Sequence, residues 1–326
     1  MGRTDVTLAT DEGSTARAAV VDNVVAAYLA DLDAAEKTRA TYARALRQYV
    51  AWLGAEGIAL ERTTRADVLA YKRHLEYTKS ANTTNAYLVA VRGLYSWLSA
   101  RAGYPNVADG VKGLRRSAQT GRDALTLAQA RALLAAPTEG VKGLRDRAMV
   151  SLMLRRGLRT VEVVRADVAD LRQVGGMGVL YVQGKGHATK DDFVVLGAEC
   201  ERAISAYLTA RRDTGGDVTG GAPLFAATGH RNGGGRMTTR AVSRIAKDAM
   251  RACGIDSPHI TAHSLRHTAV TLSLVGGATV QEAQAMARHA DISTTLIYAH
   301  NLERLDARAE AAIDALLAGE GGNTDV

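Results

Sequence analysis

His263-Ser264-Leu265-Arg266-His267-Thr268 and His289-Ala290-Asp291-Ile292-Ser293-Thr294-Thr295-Leu296-Ile297-Tyr298 are the two stretches that decide how this chain folds and works. The first combines cationic side chains with helical spacing. His263 and Arg266, three residues apart, project from one face of a helix, so both reach the same anion. His267 stands one turn beyond His263 and raises a zinc alternative. The metalloprotease pattern, however, needs Glu directly after the first His, where Ser264 stands, and no Cys/His cluster supplies a third ligand. No metal is expected. In the second stretch, a lone Tyr at the end of a helix is ordinarily structural, and its meaning depends on its company.

That company begins upstream. Leu144 to Leu154 reads as a buried helix and runs into Arg156-Gly157-Leu158-Arg159-Thr160-Val161-Glu162. Arg159 is placed to present its guanidinium at the surface, and Glu162, three residues on, can orient it. Alone, this is an ordinary ion pair. The period then changes from helix to strand. Val179 to Val182 and Phe193 to Leu196 are β-rich runs separated by Gly184-Lys185-Gly186 and a few polar residues, a hairpin signal. Helices resume at about 198–212 and 238–253, and Thr126 caps a shorter one. Between them, Gly229, Gly233, Gly234 and Gly235 form a surface loop. It is no phosphate loop, because no Gly-Lys-Ser/Thr follows and it does not join a buried strand to a helix. After Tyr298, Leu302, Leu305, Ala309, Ala312, Ile313 and Leu316 mark an amphipathic helix.

The first half reads as four helices over residues 22–102: Val24 to Leu32, Lys37 to Leu53, one starting near Thr64 with Asp67 in its first turn, and one following Ser80. On the fourth, Tyr87, Val91, Leu94, Tyr95 and Leu98 share a face, and helical spacing favours packing over stacking on bases. Residues 103–125, with Gly103, Pro105, Gly110, Gly113, Gly121 and the basic pair Arg115-Arg116, read as a linker. Residues 1–21 and 319–326 lack periodicity and are expected to be disordered.

The chain of 326 residues carries a formal charge of +7, and its distribution says more than its total. Residues 1–36 hold two Lys/Arg against seven Asp/Glu; residues 37–117 hold fourteen against five, a local net of +9. Such a stretch suits a phosphate backbone, although a merely solvated surface carries charge too. No run of about 18 apolar residues suggests a membrane span. The start lacks the apolar core of a signal peptide, and Cys253 continues a buried helical stripe while Cys200 begins another, so free core thiols and a cytoplasmic location are expected.

Taken together, these residues resemble the tyrosine recombinase (phage integrase) family. Its signature is an Arg in a Gly-Leu-Arg turn, a hairpin Lys, a His-x-x-Arg helix, a second His, and a Tyr nine residues later. Arg159, Lys185, His263 with Arg266, His289 and Tyr298 match it in order, and the likeness extends over residues 22–318. It implies a mainly α (α+β) fold: a four-helix, SAM-like core-binding domain at 22–102, the linker at 103–125, and a mostly helical catalytic domain at 126–318 with a small antiparallel sheet. Arg156 stands where members often carry Thr, and Lys190 competes with Lys185 for the lysine position. The short, acidic N-terminus leaves no room for an arm-type DNA-binding domain, so compact Xer-like recombinases and mobile-element integrases are the closer kin.

The chemistry the resemblance implies is cleavage and rejoining of DNA through a 3′-phosphotyrosyl ester on Tyr298, without cofactor or metal. Arg159, Arg266 and His289 would stabilise the charged phosphorus centre, His263 would take the phenolic proton, and Lys185 would protonate the departing 5′ oxygen. The implied partners are double-stranded DNA with inverted-repeat core sites and three further copies, in a tetramer on two DNA sites with the C-terminal helix docked into a neighbour. The alternatives are a type IB topoisomerase-like enzyme without strand exchange and a non-catalytic DNA-binding regulator.

Overall fold

The structure, a computed structural model, describes residues 14–115, 124–184, 189–229, 233–305 and 317. The chain divides into two compact units, residues 1–119 and 120–326.

In the first unit, α1 (Ser14–Asp31), α2 (Glu36–Ala55), α3 (Arg65–Thr78) and α4 (Ala81–Ala102) close around one core. Their starts are written in polar side chains. Thr64 and Asp67 form a reciprocal capping box, with Thr64 N donating to Asp67 Oδ2 at 2.8 Å, and Ser80 Oγ accepts from Thr83 N at 3.3 Å. Gly103, at φ 64°, ends α4 in the left-handed conformation that costs a glycine least. The expected stripe Tyr87, Val91, Leu94, Tyr95 and Leu98 is buried, with Tyr49 Oη and Tyr95 Oη sharing a hydrogen bond of 2.9 Å inside the core. These aromatics are therefore packing residues. One expectation fails here. Helix α1 starts at Ser14, so residues 14–21, whose sequence suggests no structure, are helical. Ala16, Ala18 and Ala19 have high helix propensity, but the stretch has too little polar contrast to display a face.

The second unit is again mostly helical: α5 (Leu127–Ala135), α6 (Gly140–Arg156), α7 (Thr160–Arg165), α8 (Gly197–Asp213), α9 (Thr239–Ala252), α10 (Ala262–Val275), α11 (Val280–Ala287) and α12 (Ser293–Leu305). Thr126 caps α5 in a box with Gln129. Its sheet has three antiparallel strands in the order β1 (Leu171–Val174), β2 (Met177–Val182), β3 (Asp192–Val195). The pairing of Val179 with Val195 and of Tyr181 with Phe193 matches the hairpin expected from sequence. Strand β1 goes beyond that expectation. Its Arg172 and Gln173 hide the β pattern, yet Gly175-Gly176, at φ 58° and 78° between the paired Val174 and Met177, makes the tight two-residue turn that positive φ permits. Lys185, in the segment between β2 and β3, lies outside the described residues, as do residues 306–316 of the amphipathic C-terminal stretch and the 319–326 tail. Both cysteines are free; Cys200 is buried and Cys253 half-buried.

Helix α10 lies at the heart of this unit. Seven consecutive residues, Ser264 to Val270, are buried, and α10 packs on α6, α9, α11 and α12. A helix buried all round is normally apolar. This one carries Ser264, Arg266, His267 and Thr268 inside, and each needs a partner.

Candidate active site

Two helix C-termini build the floor of the site. Helix α6 ends at Gly157, φ 63°, and α11 ends at Arg288, φ 53°, the one non-glycine residue at positive φ among those described. Helix ends leave carbonyls without intrahelical partners, and the aligned peptide dipoles make these ends negative. Arg266 fills this position. Its side chain, 2 % exposed, donates from Nη1 to Gly157 O at 2.5 Å and from Nη2 to Ala287 O. One guanidinium thus satisfies the ends of two helices, and they in turn hold it in place. Burial, then the charge of Arg159, lowers its pKa to about 9, so it remains a cation at neutral pH.

Arg159 comes from the turn after α6. Leu158 is fully buried and anchors that turn, and Arg159 is the residue before the first turn of α7. Its Nη1 donates to Glu162 Oε1 at 2.8 Å and its Nη2 to Arg288 O at 3.2 Å, while its backbone N–H donates to Glu162 Oε2 at 2.8 Å. The side chain remains 26 % exposed, open to a ligand. Glu162 is 0 % exposed. Burial alone would raise its pKa, but Arg288 and Arg159 outweigh that and hold the carboxylate ionised. Sequence spacing points to the Arg159–Glu162 pair. Nothing local points to Arg288 as its third member, since Arg288 is 126 residues from Glu162.

His289 follows Arg288 directly. Its Nδ1 meets Thr295 Oγ1 at 2.9 Å, and Gln284 Nε2 donates to its carbonyl at 3.1 Å. Burial, then Arg266, Arg159, His267 and Arg288, lowers its pKa to about 4, so the ring is neutral at pH 7. Asp291 Oδ1 accepts from Ser293 N at 2.9 Å at the start of α12, which carries Tyr298 in its middle.

The phenol of Tyr298 lies among histidines. Tyr298 Oη shares a hydrogen bond with His267 Nδ1, and the two rings are 5.2 Å apart. His263 stands edge-on to His267 with centroids 4.6 Å apart, and the His289 ring lies parallel to Tyr298 at 6.5 Å. The sequence marks His263 as the partner of the phenol; the hydrogen bond goes to the next histidine on the same helix face. Spacing alone suggests His267 only as a metal ligand, and the structure gives it this second role.

Of the two lysine candidates, Lys190 lies among the described residues. Lys190 Nζ lies 2.6 Å from Asp167 Oδ2 and 2.5 Å from Asp170 Oδ2, clamped between two carboxylates. Arg165 Nη1 donates to Gly184 O at 3.2 Å. Both ends of the connection that carries Lys185 are therefore pinned.

Comparison with known proteins identifies the family. The model of the phage integrase family matches residues 123–304, and that of the phage integrase N-terminal SAM-like domain matches residues 25–102. The chain is 34 % identical over 274 residues to the tyrosine recombinase XerC of Pelobacter propionicus, covering 82 % of this chain and 86 % of the relative. It is 34 % identical over 270 residues to XerD of Ralstonia nicotianae, covering 82 % and 84 %. Among solved structures, XerH site-specific recombinase bound to palindromic difH substrate has a TM-score of 0.71 at 19 % identity, covering 91 % of this chain and 85 % of that one. The Tn1549 transposon integrase in complex with transposon right end DNA has a TM-score of 0.67 at 16 % identity, covering 88 % and 99 %. At those identities the likeness concerns the fold.

Proposed function

Because the chain belongs to the phage integrase family of tyrosine recombinases, we propose that it cuts and rejoins double-stranded DNA at specific sites through a phosphotyrosyl ester on Tyr298. The observation that carries this reading is the convergence of Arg159, Arg266, His289 and Tyr298 on the paired ends of α6 and α11. Uncatalysed phosphodiester cleavage is so slow that an enzyme must remove on the order of 20 kcal/mol of barrier. Two guanidiniums already held in place by their hydrogen bonds stabilise the oxygens of the phosphorus centre as charge builds there. His289, neutral and fixed through Nδ1 by Thr295, has Nε2–H left to donate as a third group when the Thr295 hydroxyl is the donor of that pair.

Tyr298 Oη attacks the phosphorus, and the bond to the 5′ oxygen breaks. The phenolic proton leaves to the His263–His267 pair, with His267 the ring in contact. Lys185 supplies the proton to the 5′ oxygen; Lys190, neutralised by Asp167 and Asp170, is poorly placed to do so. The ester retains the energy of the broken bond, so a 5′-hydroxyl from a second strand releases Tyr298 and completes the exchange. The same reading takes residues 22–102 as a core-binding domain on DNA carrying inverted-repeat core sites and residues 126–318 as the catalytic domain. It places the protein in the cytoplasm, working as a homotetramer on two sites. The structure of XerH bound to difH and that of lambda integrase as a tetramer on a Holliday junction support the DNA and the assembly by likeness of fold.

The test is adduct formation on a nicked suicide substrate. The wild-type protein should form a covalent protein–DNA adduct that survives boiling in detergent, and Tyr298→Phe should bind the same DNA and form none. In the same assay His267→Gln should slow the reaction more than His263→Gln. Lys185→Ala should slow it by roughly 10²–10⁴-fold, except on a substrate whose bridging 5′ atom is sulfur, which needs no proton to leave. Adduct formed by Tyr298→Phe would overturn the assignment. Relaxation of supercoils without recombinant products from two sites would favour the topoisomerase-like alternative.

A further inference from the structure

Arg288 combines three costly features. It holds a left-handed backbone, φ 53°, a conformation strained for any residue other than glycine. Its side chain, 8 % exposed, buries a full charge. Its Nε makes no hydrogen bond among the described residues, and a carboxylate oxygen of Asp192 stands 3.8 Å away. Features of this kind persist only when the surroundings enforce them. Here they are enforced by Glu162, whose Oε2 accepts from Arg288 Nη2 at 2.7 Å, and by Met286 O, which accepts from Nη1 at 2.8 Å.

Glu162 therefore serves two arginines at once. Oε1 holds the Arg159 guanidinium, while Oε2 takes both the Arg159 backbone N–H and Arg288 Nη2. A buried carboxylate with only one cationic partner would draw that partner fully onto itself or take up a proton. A second cation on its far oxygen prevents both. Arg288 also sits between α7, through Glu162, and β3, through Asp192, the strand that follows the connection bearing Lys185.

We propose that Arg288 is a positioning residue for strand transfer: it fixes the Glu162 carboxylate so that Glu162 fixes Arg159, and it ties that centre to β3 at Asp192. This rests on the reading of Arg159 and Tyr298 given above. Arg288 touches no reacting atom in this scheme and acts through its neighbours. The charged and titratable groups facing the pair are Arg159 before α7, Arg266 from α10, Asp192 from β3 and His289 beside Arg288 itself.

The test uses full-length Arg288→Gly, because glycine accepts the left-handed backbone without strain. Three quantities are measured: DNA affinity, adduct rate on the nicked substrate from pH 5.5 to 8.5, and the same rate in Glu162→Gln with and without Arg288→Gly. Arg288→Gly should bind DNA like the wild type and form adduct about 10- to 100-fold more slowly, the scale set by small misplacements of a catalytic group. The defect should deepen as pH falls, since Glu162, now flanked by one cation fewer, takes up a proton more readily. Adding Arg288→Gly to Glu162→Gln should slow the reaction little further, because both changes break one chain of interactions. Arg288→Lys, which restores the charge, should recover part of the rate. Should the glycine variant fail to fold, Arg288→Gln gives the same reading, with hydrogen bonding kept and charge removed. A wild-type rate at every pH would overturn the proposal, and so would a loss equal at all pH values and additive with Glu162→Gln. A wild-type protein that forms no adduct on Tyr298 would instead overturn the proposed function, a result visible before any Arg288 variant is made.

Discussion

His289 illustrates how much one residue's surroundings decide. An imidazole ordinarily titrates near 6.5, where it is half charged close to physiological pH. Here burial and the nearby cations Arg266, Arg159 and Arg288 hold it down to about 4. The consequence for stability has a definite sign. Above pH 6.5 the ring is neutral in both folded and unfolded chains and contributes no pH dependence. Between about 6.5 and 4 the unfolded chain binds a proton that the folded one refuses, so stability is lost as pH falls. The urea midpoint of the wild-type protein should therefore drop between pH 7 and pH 5, and that of His289→Gln should drop less. Equal drops would mean that His289 titrates normally in the folded protein. A neutral His289 brings hydrogen bonding rather than charge to the site.

At the scale of elements, the site depends on where α6 and α11 stop. Both end in the left-handed conformation, and both offer terminal carbonyls to Arg266. Gly157 makes the first of these stops possible. A methyl group there would meet Ala269 Cβ and Arg266 Cγ at an ordinary 3.8 Å, so space is not the difficulty; the φ of 63° is. Gly157→Ala should cost about 1–2 kcal/mol of stability, seen as a lower denaturation midpoint. It should also slow adduct formation, because the shifted turn carries both the carbonyl that holds Arg266 and the backbone leading to Arg159. A variant destabilised by this amount but cleaving at the wild-type rate would show that the turn supports the fold alone. The same logic explains Lys190. Its pairing with Asp167 and Asp170 ties the start of β3 to the residues before β1, and Asp167 also receives Arg236.

For the whole molecule, the basic balance of residues 37–117 is the feature to test. These residues lie within the first unit, whose core is its own. If both units neutralise phosphates, removing residues 1–119 should weaken DNA binding greatly. It should also flatten the dependence of log K on log salt, by about 0.9 for each phosphate no longer neutralised. The remaining unit, with Arg159, Lys185, His263, Arg266, His289 and Tyr298, should still form some adduct at high protein concentration. Binding of both forms across a salt series checks this. An unchanged slope would make the basic stretch a solvated surface.

Much was determined by sequence alone, because the signals are local. Helix starts at Thr64, Ser80 and Thr126 are legible from a side chain that accepts a nearby N–H, and the β2–β3 pairing from two short β-rich runs separated by a glycine-containing turn. The likeness to tyrosine recombinases, and with it the mainly helical fold and the choice of Tyr298 from the chain's eleven tyrosines, rests on residue types at short spacings. Strand β1 and the start of α1 escaped because their side chains show no contrast between faces. What only the tertiary structure decided are the partners that lie far apart in sequence. Arg266 joins Gly157 and Ala287, and Arg288 reaches Glu162, across separations that no periodicity spans. Whether the phenol meets His263 or His267 depends on how α12 lies against α10. That is set by the packing of two helices around a buried Thr295, at a scale where one helical turn moves a side chain by about 5 Å.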